Sequence, residues 1–143
     1  MLRVLAAAIA ALVPLWWSID DTAALSGHDD RLDAAAWVDR AVPRTAPIAA
    51  DPSTLPLEGR NVVRLELPGP GRTFDARRSL EALRARGVRW LVVGGSVTDR
   101  VLDAADTYPR EAAFYRSLAS LRPAFAVEAD GRRPWLRVYR VYP

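Results

Sequence analysis

The chain has 143 residues, half of them hydrophobic, which suffices for one packed domain and is too apolar for a disordered chain. It contains no cysteine and a single histidine, His28, which excludes a disulfide framework, a thiolate zinc site and a multi-histidine metal site. The formal charge is +3 with a pI near 9.9; the 20 basic residues are all arginine and are interleaved with 17 acids. The longest basic run is a pair, so no nucleic-acid partner is expected.

Residues 1–19, MLRVLAAAIAALVPLWWSI, open the chain. Residues 2–19 carry one charge, Arg3, and as a helix would be about 27 Å long, close to the roughly 30 Å of a bilayer core. Arg3 precedes the apolar run while Asp20 and Asp21 follow it, which puts the N-terminus in the cytoplasm and the rest outside. Trp16 and Trp17 suit the outer interface. A signal peptide is the rival reading, but Trp16-Trp17 stands where a small-residue cleavage site belongs, and Ala23-Ala24 comes late. The expectation is therefore a transmembrane helix or signal anchor over 1–19, a linker over 20–29 and an extracytoplasmic α/β domain over 30–143. The bilayer would be a partner through residues 2–19.

Asp30 reads as a helix cap, followed by an apolar face at Ala34, Trp37, Val38 and Ala41, and Pro43 closes the helix. Residues 47–50 read as a first strand and residues 61–67 as a second with one wetter face. PGPG at 68–71 is a break. Asp75 would cap a helix reaching Arg86, with Gly87 as its left-handed end. Residues 88–93 form an apolar, β-branched run suited to a strand covered on both faces. Gly94 and Gly95 end it, and Ser96 or Thr98 would cap the next helix. Pro109 opens another helix, whose Phe114, Leu118 and Leu121 face the core. Residues 124–128 and 135–141 read as an antiparallel hairpin turning at Asp130-Gly131, on one edge of the sheet. The alternation before it predicts a mainly parallel three-layer α/β fold.

The chemistry on offer is sparse. Gly94-Gly95-Ser96 at a strand end could present backbone N–H groups to an anion, but matches neither nucleotide-binding glycine pattern. Ser96 lacks the surroundings of a nucleophile. Asp99, Asp103 and Asp106 share a helix face, which reads first as a solvated face rather than a cation site. Arg100, Tyr108, Arg110 and Tyr115 could line a polar groove beside the strand end, or Tyr115 could be half-buried core. No cofactor, no metal and no catalytic residue are expected.

DDRLDAAAWVDRAVP at 29–43, followed by PIAAD, resembles the "D-T-R-x-x-A-x-x-W-I-x-x-x-V-P … I-A" stretch of bacterial dolichyl-phosphate-mannose–protein mannosyltransferase-like GT-C glycosyltransferases. GVRWLVVGGSVTDRVL with YPREAAFYRSL resembles their "G-V-x-Y-V-V-x-S-S … Y-P-x-x-x-x-F-Y-x-x-L" segment, and WLRVYRVYP their closing "I-x-V-Y-R" strand. The resemblance covers residues 29–143, with the preceding apolar run in the place of the last membrane span. It implies an extracytoplasmic α/β tail without the catalytic acids, which in that family lie in an early loop between membrane helices. It departs at Gly94-Gly95 and keeps only part of the D-T-R element at Asp30-Arg31. The implied function is a noncatalytic domain of a polyprenyl-phosphate-sugar-dependent enzyme, either its C-terminal fragment or an accessory subunit beside a multi-span partner. A small secreted or periplasmic α/β binding protein is the alternative. A stand-alone enzyme using Asp99, Asp103 or Arg110 is a third reading.

Overall fold

The computed structural model describes residues 29–52, 54–129 and 134–142. Helix α1 (Asp30–Ala41) leads to strands β1 (Ile48–Ala50) and β2 (Val62–Arg64). Helix α2 (Leu80–Ala85), strand β3 (Trp90–Gly94) and helices α3 (Gly95–Asp103) and α4 (Pro109–Ser117) follow. A short 3-10 turn (Leu118–Ser120) precedes strands β4 (Pro123–Val127) and β5 (Leu136–Arg140).

The five strands form one sheet in the order β2-β1-β3-β5-β4. β1 pairs in parallel with β2 and β3, whereas β5 runs antiparallel to both β3 and β4. The sheet is therefore mixed rather than mainly parallel. The cause is the hairpin: its second strand, β5, lies inside the sheet, and its first, β4, forms the edge. Composition explains that choice. β5 buries Leu136, Val138 and Tyr139, while β4 alternates half-buried and exposed positions and starts at Pro123, whose missing N–H suits an edge. The Asp130-Gly131 turn lies outside the described residues.

Alternation along β3 divides the core. Leu91 and Val93 face α2, α3 and α4, where they pack with Leu83, Val97, Val101, Phe114 and Leu118. Trp90 and Val92 face α1, where Ala34 and Val38 meet Ile48, Ala50 and Val138. All five β3 residues are buried, so a continuous apolar run, not an alternating one, is what this position demands. The three layers expected from the sequence are present.

Local boundaries moved for identifiable reasons. The cap of α1 is Asp29, one residue before the expected one; its carboxylate accepts the Arg31 backbone N–H at 3.0 Å. Ala41 is exposed, and Val42 takes the buried position beyond it. Asp75 caps no helix. Its carboxylate accepts the Arg77 N–H at 3.0 Å and the Glu66 N–H at 2.9 Å, closing a local turn that competes with helix. Burial pushes the Asp75 carboxyl up, but these donors and the Arg77 guanidinium hold it below the ordinary carboxylate range. The helix starts at Leu80 instead, with Ser79 as its cap, and ends before Gly87 at φ +70. α3 begins directly at Gly95 with Gly94 as its cap residue and no side-chain cap. Ser96 is exposed, and Thr98 is buried with its Oγ1 lacking a partner among the described residues.

Among the described residues no helix is long and apolar enough to cross a membrane. The apolar run at 2–19 lies outside the described residues.

Candidate functional site

In an open α/β sheet the place to look is the carboxyl edge where neighbouring parallel strands send their chains in opposite directions. Here those strands are β1 and β3. From β1 the chain departs toward β2; from β3 it departs through α3 and α4 toward the opposite edge. Asp51, directly after β1, and Gly94, at the end of β3, stand at this junction.

The second of the two glycines, Gly95, makes room for an indole. The Gly95 N–H donates to the Trp135 carbonyl at 2.8 Å. A Cβ on Gly95 would meet Trp135 Nε1 at 2.8 Å and Asp99 Oδ2 at 2.9 Å, inside contact distance. The indole N–H in turn donates to both Asp99 oxygens at 3.1 Å. Gly94 is tighter than usual only against Thr54, at 3.3 Å. The Gly95 N–H that could have faced an anion is thus committed to the chain's own backbone, and Asp99 is committed to Trp135.

The remaining expected residues are not gathered into one groove. Arg100 is exposed and reaches the Pro68 carbonyl at 3.4 Å. Tyr108 is half-buried against the core. Arg110 is exposed and lies over the Phe74 ring at 3.9 Å. Tyr115 turns inward and is buried. Among the described residues no group of three acids or histidines could hold a metal ion, so Asp99, Asp103 and Asp106 do not form one.

Tyr115 leads to an arrangement the sequence did not announce. Its hydroxyl donates to both Asp51 oxygens at 2.9 Å and accepts a hydrogen bond from Arg78 Nη1. Arg78 Nη1 also lies 3.0 Å from Asp51 Oδ1, with both side chains fully shielded from solvent. Arg78 Nη2 donates to the Glu66 carbonyl at 2.8 Å, and the guanidinium stands 5.2 Å from the Tyr115 ring centre. Asp51 is further pinned by its own backbone: its N–H donates to the Val92 carbonyl, and its carbonyl accepts the Thr54 hydroxyl.

The cluster joins the end of β1, the loop before α2 and helix α4. Burial raises the Asp51 carboxyl above its ordinary range, outweighing the nearby Arg78 guanidinium and the Tyr115 hydroxyl. Burial likewise pushes the Tyr115 phenol up, helped by the Asp51 carboxylate. A charge pair this deep is costly to desolvate and strongly interdependent, because removing one partner strands the other. Enclosed as it is, the carboxylate meets no solvent-borne substrate, and its chemistry is that of a clamp. A lone acid after an apolar run, and one arginine of an Arg-Arg pair, gave no periodic signal that could have linked them.

Comparisons with protein-family models, with curated proteins and with solved structures found no match.

Proposed function

We propose that this chain is a noncatalytic, membrane-anchored extracytoplasmic domain of a GT-C-like glycosyltransferase, acting in assembly beside the multi-span catalytic portion or subunit. The observation that carries this reading is the commitment of the polar groups at the carboxyl edge to one another. Asp51 serves Arg78 and Tyr115, and Asp99 serves Trp135. The edge that hosts chemistry in many α/β sheets is packed here, with its carboxylates held by the chain's own side chains, while the buried Arg78 Nε and Thr98 Oγ1 have no partner among the described residues.

The entry point of the chain agrees with a tethered role. Asp29, Arg31 and Leu32 border the same cleft as Thr54, Leu55 and Pro56, which follow β1. The domain is thus entered at its carboxyl edge. Residues 20–28, fully extended, reach at most about 30 Å. An anchor over 2–19 therefore holds this edge near the bilayer, with Leu32, 56% exposed, on the membrane side. The small side chains Ala6, Ala7, Ala8, Ala10 and Ala11 would give the anchor a surface for close packing with partner helices.

Topology is directly testable because the chain has no cysteine of its own. Ala119 is exposed on the 3-10 turn. In intact cells an Ala119→Cys variant is expected to react with a membrane-impermeant maleimide, and a Leu2→Cys variant only after permeabilisation. Labelling of Ala119→Cys only after permeabilisation would place the domain inside and overturn the proposal.

A further inference from the structure

The opposite edge of the sheet, where β1 and β3 begin and β5 ends, carries a groove of about 670 Å³ on the α1 side. That volume falls within the range of small-molecule sites. Arg89 and Arg140 both line it, and no acidic residue does. Arg31, Arg60, Arg77, Arg78 and Arg137 each have a carboxylate partner. Neither groove arginine has one among the described residues. The two are neighbours across the sheet: Arg140 is in register with Trp90, and the Arg89 carbonyl accepts the Val141 N–H at 2.9 Å.

The walls are held in place. Arg140 lies over the Trp90 ring at 5.5 Å, and Trp90 is braced edge-on by Trp37 at 5.8 Å. Tyr142 is 36% exposed and its hydroxyl donates to the Arg84 carbonyl, which fixes the ring as one wall. Pro43 lines the groove too. Gly87, with φ +70, leaves open space where a Cβ would stand. Arg89 and Arg140, an ordered aromatic face and an aliphatic wall line one amphiphilic cleft with a cationic end.

We infer that this groove is a binding site for a phosphate monoester carrying an apolar ring. Two guanidiniums match a group with charge between about −1.5 and −2 at neutral pH, and each can offer paired N–H donors. The Tyr142 face and Pro43 receive the apolar part. The groove offers few groups to satisfy several hydroxyls, which disfavours a neutral sugar. The groove belongs to the α/β domain itself, whatever holds residues 2–19.

The test is calorimetric titration of the full chain in an uncharged polyoxyethylene detergent at about 0.15 M salt, where exposed long-range charge is largely screened. The probes are phenyl phosphate, inorganic phosphate, phenylacetate and benzyl alcohol. Phenyl phosphate is expected to bind at least about tenfold tighter than any of the other three. Arg89→Gln and Arg140→Gln should each weaken it by about tenfold or more, the range for a lost charged hydrogen bond. Tyr142→Ala should bring it down to the level of inorganic phosphate. Arg116→Gln, an exposed charge elsewhere, should leave it unchanged. No saturable binding, equal binding of inorganic phosphate, or an equal loss in Arg116→Gln would each overturn the assignment.

Discussion

Replacing Arg78 by methionine is expected to lower the unfolding free energy by about 3–5 kcal/mol, the range for breaking a buried ion pair from one side. Asp51 would keep only the Tyr115 hydroxyl and remain fully shielded. The Asp51→Asn/Arg78→Met double variant removes both charges and leaves an amide that can still serve Tyr115. It should be more stable than Arg78→Met alone, because an uncompensated charge costs more than an absent pair. The pH dependence has a definite sign. Burial raises the folded Asp51 carboxyl above its unfolded value of about 4. Its contribution to stability is therefore complete below pH 4 and is lost as pH rises through the folded value. Arg78 stabilises the ionised form, so the penalty of Arg78→Met should be smallest near pH 4 and largest at neutral pH. Urea unfolding followed by tryptophan fluorescence at both pH values checks magnitude and sign together. An equal penalty at both would mean that Asp51 does not change its charge between them.

Gly95→Ala should cost about 1–3 kcal/mol, the typical penalty for overpacking. The added methyl would stand 2.8 Å from Trp135 Nε1 and 2.9 Å from Asp99 Oδ2. These are the two ends of the indole–carboxylate hydrogen bond, so relief requires the indole or the Asp99 carboxylate to move and the bond between them to loosen. The Trp135 indole N–H resonance should therefore move upfield in Gly95→Ala, reporting a weakened bond. Trp135→Ala removes the indole and releases the exposed Asp99 carboxylate to turn aside, so Gly95→Ala should cost much less in that background. Gly94→Ala should be milder, because its nearest contact is a Thr54 methyl at 3.3 Å. A Gly95 penalty unchanged by Trp135→Ala would show that the indole is not what excludes a side chain there.

These two positions mark where the sequence could and could not be read. The elements with strong local signatures were legible: the buried run ending at Gly94, the α1 face at Ala34 and Val38, the left-handed Gly87, and Pro109 at the first turn of α4. Each depends on neighbours within a few residues. The helix expected from Asp75 failed because the Asp75 side chain satisfies backbone donors locally, a competition invisible to periodicity. The mixed sheet is not legible in the sequence because hairpin pairing says which strands meet and not which of them the sheet takes inside. The Asp51–Arg78–Tyr115 cluster joins residues up to 64 positions apart, and no local pattern spans that distance. Gly94-Gly95 was visible as a feature, but its cause was not. An anion and an indole impose the same demand for small residues, and only the position of Trp135 separates them.

The basic groove shows the same limit. Arg89 and Arg140 are unremarkable members of an arginine-rich chain until β5 lies beside β3.

The measurement that bears most directly on the anchored-domain account is membrane fractionation of the expressed chain, with mass spectrometry of its N-terminus. The account predicts intact chain, retaining residues 2–17, in the membrane pellet after alkaline wash. A soluble product cut near Ala23-Ala24 would contradict it and identify the apolar segment as a cleaved signal.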